Sequence, residues 1–136
     1  MDAINLDELP TGAVLLSRSG DILHINQHLR QMLAIPRDKT FHPKALKHLH
    51  PDDQNLIHDL FAALACGEIC RVECCTRLLT LRREPLWVLI SARVYKQPQL
   101  PRKSLLVIIH DMSLERAMLD EIEAPGSIFD KPSEFG

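Results

Sequence analysis

The sequence has no long apolar run. Its strongest stretch covers residues 60–66, far short of the roughly 20 residues that a membrane-spanning helix needs. Aromatic residues make up only 4% of the chain, too few for a platform on which nucleic-acid bases stack. An excess charge is missing too: 16 Lys and Arg face 18 Asp and Glu, so no bulk field draws the chain to nucleic acid or to an anionic membrane. Only five glycines occur and none cluster, which excludes a phosphate-cradling glycine loop. The four cysteines, Cys66, Cys70, Cys74 and Cys75, lack spaced partners. That is a poor disulfide framework, and it points to a reducing, cytoplasmic setting. The close Cys-x-x-Cys pairs of a structural zinc site are absent as well, so no metal is expected. Residues 1–9 carry Asp2, Asp7 and Glu8 and no basic leader, unlike a secretory signal.

What is present is the composition of a folded domain, 46% hydrophobic and 25% charged over 136 residues, enough for one domain and short flanks. Residues 6–9 read as a short helical lead closed by Pro10. The runs 13–16 and 22–25, joined by Ser19-Gly20-Asp21, read as a β-hairpin. Asn26 suits a helix N-cap, with Leu29, Met32 and Leu33 on one face of a helix ended by Pro36. His50-Pro51-Asp52-Asp53 starts a longer helix: Pro51 fits its first position, and the carboxylates oppose its positive end. Its stripe is Leu56, Ile57, Leu60, Phe61 and Leu64, and Gly67 is the expected cap.

The period then changes to two. Residues 70–78 alternate between an apolar and a wet face, as a strand near a sheet edge does. In residues 86–95 the even set is wholly apolar, while the odd set includes Trp87 and Leu89, so both faces want cover. Residues 105–109 are continuously apolar, which predicts a central strand covered on both faces. Ser113 can cap a last helix over 114–124 with Leu114, Met118 and Ile122 as a narrow seam, stopped by Pro125-Gly126. The order ββ, helices, βββ, helix favours an α+β fold with an antiparallel sheet. The expected organisation is a lead at 1–10, a domain at 11–112, a terminal helix at 113–124 and a linker or disordered tail at 125–136.

Several pieces together resemble the PAS domain family of bacterial sensory modules. Leu9-Pro10-Thr11-Gly12-Ala13 is similar to the family's opening, and Ser19-Gly20-Asp21-Ile22 with Asn26 to its first hairpin and cap. His50-Pro51-Asp52-Asp53, Trp87-Val88 and Asp111-Met112-Ser113-Leu114-Glu115-Arg116 resemble its later landmarks. Two departures stand out: no glycine occupies the turn at 82–84, and Pro125 cuts short a helix that many members extend into a coiled coil. The resemblance implies a five-stranded antiparallel sheet with helices on one face and flanking terminal helices. It also implies a non-catalytic sensor that dimerises and regulates a histidine kinase, a cyclic-dinucleotide enzyme or a transcription regulator. No effector signature occurs in these 136 residues.

The expected lining of a ligand pocket is Ile25, Leu33, Ile57, Phe61, Cys74, Ile90 and Val107; the alternative is a filled core. The expected signalling junction is Asp111-Met112-Ser113, and the expected dimer surface comprises Leu6, Leu9, Trp87, Leu89, Leu114 and Met118. A second possibility is a haem or redox sensor. His58 falls off the centre of its helix stripe and reads first as a surface histidine. Cys75 falls on the wet face, where Arg71 and Arg77 would favour a thiolate, whereas Cys70 and Cys74 read as small buried residues. The family's flavin-adduct motif is missing around every cysteine, so a flavin is not expected. A small hydrolase is a third alternative, against which no nucleophile elbow surrounds Ser17, Ser91 or Ser104. The expected partners are a second copy, an effector domain in the same or a partner chain and a small molecule, with neither nucleic acid nor membrane.

Overall fold

Alternating stretches and continuous apolar runs build five strands, and pairing of the first with the last, distant in sequence, sets their order. The computed structural model describes residues 5–96 and 103–122. After a 3-10 turn at Leu6–Glu8, strands β1 (Gly12–Leu16) and β2 (Ile22–Ile25) form the hairpin. Gly20 makes its turn possible with a φ of 92°, a region that costs a residue with a Cβ. Helix α1 (Gln27–Met32), a 3-10 turn at Ala45–His48 and helix α2 (Pro51–Ala65) follow. Strands β3 (Arg71–Leu79), β4 (Pro85–Tyr95) and β5 (Ser104–Asp111) then precede helix α3 (Ser113–Ile122). The sheet is antiparallel throughout, in the order β2-β1-β5-β4-β3. The α+β expectation, β3 at an edge and β5 in the centre all hold.

One sheet face builds the core. Val14, Leu16, Val88, Ile90, Leu105, Val107 and Ile109 are buried there against Leu29 and Leu33 near α1 and Ile57 and Leu64 of α2. The opposite face is only partly covered: Leu106 and Ile108 are half-buried and Leu89 is exposed, so β5 has one covered face rather than two. The N-terminal lead supplies part of that cover. Leu6 is buried and shares a shallow pocket with Leu15, Tyr95 and Leu106.

Several local expectations need correction. Helix α1 stops before Pro36 is reached, because Ala34 turns left-handed at φ 59° and the Ile35 amide bonds back to Arg30. Leu56 is exposed, since the stripe facing the core from α2 is narrower than its apolar residues allow. Ser113 is the first residue of α3 and does not cap it; Asp111 Oδ1 accepts from the Ser113 amide at 2.8 Å. Cys70 is exposed because β3 begins only after it. Gly67 does close α2, at φ 88°. The loop at 97–102, the stop at Pro125-Gly126 and the tail lie outside the described residues. No described helix is long and apolar enough to cross a membrane.

Candidate functional site

An apolar cavity of about 220 Å³ lies between the inner sheet face, α2 and the segment before it. Six expected residues line it: Ile25, Leu33, Ile57, Phe61, Ile90 and Val107. Cys74 does not; it is half-buried beside the core, where burial pushes its thiol pKa up and disfavours the thiolate. None of the four cysteines lines the cavity, so a flavin held there would meet no cysteine. His58 sits at the rim with a largely exposed side chain. The volume falls below the ~300–1,000 Å³ of drug-sized ligand sites, so a haem macrocycle does not fit without parting the helices.

Asn26 anchors the wall of this cavity from behind. Its side chain is fully buried and all four hydrogen-bonding positions are used. Its Oδ1 accepts from the Ala13 and Leu29 amides, and its Nδ2 donates to the Leu6 and Thr11 carbonyls, at 2.9–3.0 Å. The predicted helix cap therefore also ties the N-terminal lead and β1 to α1.

At the start of α2 the structure adds a hub that helix-start chemistry alone does not reveal. The His50 side chain caps the helix by accepting from the Asp52 amide. Asp53 reaches across the edge strand. It accepts from the Thr76 hydroxyl at 3.0 Å, the Arg77 amide at 3.0 Å and the Arg77 guanidinium at 2.9 and 3.1 Å. The His50 amide donates to the Arg77 carbonyl, so both outward backbone groups of Arg77 are satisfied and the sheet edge is blunted there. The Arg77 guanidinium holds the Asp53 carboxyl down at a pKa of about 2, with its own amide and Thr76 assisting against the opposing effect of burial.

The same arginine continues the contact to the outer face. Its guanidinium carbon lies 5.2 Å from the centre of the Trp87 ring, and that of Arg116 from α3 lies 4.4 Å from it. The Met112 amide donates to the Trp87 carbonyl at 3.0 Å. Helix α3 therefore docks through Met112 and Arg116, while Leu114 and Met118 of the expected dimer surface are 71% and 54% exposed. His110 and Glu115 brace the junction at 2.9 Å, and this bond holds the Glu115 carboxyl below its ordinary range. Cys75 is exposed, with its Sγ 3.5 Å from Met112 Sδ. Neither expected cation is free to serve its thiol, since Arg71 pairs with Glu73 and Arg77 with Asp53. No group of three potential metal ligands occurs among the described residues.

Solved structures share this fold. A PAS domain from Desulfitobacterium hafniense is 16% identical with a TM-score of 0.60, covering 78% of this chain and 96% of that one. A domain of a sensory box sensor histidine kinase/response regulator from Geobacter sulfurreducens is 19% identical with a TM-score of 0.62, covering 78% and 87%. The Rhodobacter sphaeroides LOV protein is 16% identical with a TM-score of 0.64, covering 85% and 66%. None of the curated proteins compared matches. The family model described as the PAS fold matches residues 4–112, and the chain belongs to the PAS family.

Proposed function

We propose that the chain is a non-catalytic sensory and dimerisation domain. A small molecule in the core cavity biases the Asp111-Met112-Ser113 junction, and α3 passes that bias to an effector domain in the same or a partner chain. The observation that carries this reading is the continuity of contacts from cavity to junction. Ile57 lines the cavity one helical turn after Asp53, on the same face of α2. Asp53 grips Arg77, Arg77 and Arg116 flank Trp87, and Trp87 holds the start of α3. A ligand that displaces Ile57 thus acts on a chain of packed and hydrogen-bonded groups that ends at the junction. The likeness to a sensor histidine kinase domain from Geobacter sulfurreducens supports a kinase among the possible effectors.

Dimerisation is supported by the apolar side chains that α3 leaves open, Leu114, Met118 and Leu119, together with Leu89 on the sheet. Leu6 and Leu9 contribute less, as Leu6 is buried in its own chain and Leu9 is half-buried. Mass spectrometry of the purified protein under native conditions tests both parts: the reading expects a dimer carrying, or able to take up, one small molecule per chain. A protein that stays monomeric and takes up none of a library of small apolar compounds refutes it.

A second reading rests on one contact, the Cys75 thiol beside the Met112 thioether at the junction. Oxidation of the Cys75 thiol would place a polar group where α3 meets the sheet. Peroxide treatment of the native chain and of Cys75→Ser, followed by hydrogen exchange of α3, tests it: the redox reading expects a change in the first that is absent from the second.

A further inference from the structure

The walls of the cavity are apolar, but its rim has one sign of charge. Arg18, Lys44, His48 and His58 lie among the lining residues, and no Asp or Glu does. Lys44 is partly neutralised by Asp21, which lies 2.6 Å away and off the cavity wall. The His48 ring bonds the His42 carbonyl, and His58 stands near its neighbour Asp59. Arg18 is different. Its guanidinium donates to the Ala65 carbonyl at the end of α2, 3.0 Å away, and among the described residues no carboxylate pairs with it. A guanidinium has five N–H donors in a planar fork suited to a carboxylate, and this bond uses one of its nitrogens. The residue thus bridges the β1–β2 turn and the last turn of α2 across the mouth, with donors to spare.

We propose that the cavity takes an amphiphilic carboxylate: a medium-length chain or single ring inside, and the carboxylate at the rim on Arg18. This rests on the reading of the cavity as a ligand site and names the class of ligand. The volume agrees with the class. About 220 Å³ exceeds the roughly 150 Å³ of an apolar cavity that accepts benzene and leaves room for a ring with a short tail or for a chain of similar bulk. The apolar walls supply affinity without orientation; the rim supplies orientation and selects charge. A neutral amphiphile of the same shape would leave the exposed Arg18 donors to water and gain no charge-assisted bond.

Octanoate and 1-octanol separate these contributions. Calorimetric titration of the full chain with each, in the same buffer, is expected to give octanoate about tenfold tighter, the worth of one charge-assisted hydrogen bond at a partly open site. In Arg18→Gln the two affinities should come within about twofold of each other, with octanol binding as it does to the native chain, which also reports an intact cavity. Octanol binding as tightly as octanoate to the native chain, or an octanoate preference that survives Arg18→Gln, overturns the carboxylate assignment while leaving the cavity reading in place. Binding of neither probe overturns both.

Discussion

Three side chains carry consequences larger than their local roles. Asn26 makes four hydrogen bonds, three of them buried, and Asn26→Ala leaves two amides and two carbonyls to find new partners. The expected cost is about 3 kcal/mol in urea unfolding, from buried groups left unpaired. Asp53 links stability to pH. Its pKa is lowered from 3.8 to about 2, so its contribution is complete above the unfolded value and is lost as pH falls through the folded one. Asp53→Asn should therefore cost about 1–2 kcal/mol at pH 7, discounting for the fifth of the side chain still open to water, and should flatten the decline of stability between pH 5 and pH 2. An equally steep acid decline in the variant would show that Asp53 is not its source. Arg83 occupies the turn where the family often has a glycine, and its φ of 67° is costly for a residue with a Cβ. Arg83→Gly should stabilise the chain by about 0.5–1 kcal/mol, the strain relieved less the entropy a glycine gains on unfolding.

These residues also mark what a sequence can reveal. The capping role of Asn26 was legible because it acts on an amide three residues away. Its bonds to Leu6 and Thr11 were not, since they depend on where the N-terminal lead folds. The dipole role of Asp53 was likewise legible from its place in the first turn. Its grip on Arg77, 24 residues further along, has no local signature. The place of Arg77 beside Cys75 was legible from strand alternation; its pairing with Asp53, from a helix in another layer, was not.

At the scale of elements, period and punctuation were sufficient for strands and helices, because both are set by neighbours a few positions apart. The docking of α3 was not legible. Its apolar seam reads as a surface for a second copy, and a ten-residue helix is marginal alone; what holds it on its own chain is Arg116 on Trp87, Met112 on the Trp87 carbonyl and Glu115 on His110. Arg116→Ala should speed amide exchange in α3 about two- to fivefold, the worth of one exposed cation–π contact, with β3–β5 unchanged. Unaltered exchange in α3 would mean that another contact holds the helix.

For the whole molecule, the open side chains of α3 and the outer sheet face set an oligomeric expectation. Leu114→Glu combined with Met118→Glu should convert a dimer to a monomer in solution scattering without altering the unfolding of the domain, since both side chains are exposed in the single chain. A dimer that persists places the interface elsewhere on the surface. The cavity was partly legible: its aliphatic lining follows from inward positions on helices and strands, whereas the basic rim is assembled from the β1–β2 turn, the segment before α2 and α2 itself, which no short motif joins.

Coupling between cavity and helix is what makes such a domain a sensor, and amide spectra of the labelled chain titrated with octanoate measure it. The expected result is a single saturating curve shared by Ile57, Arg77, Met112 and Arg116, with the responses of Met112 and Arg116 reduced in Arg77→Gln while that of Ile57 persists. Saturation at Ile57 with residues 110–116 unmoved would contradict the proposed route from ligand to output.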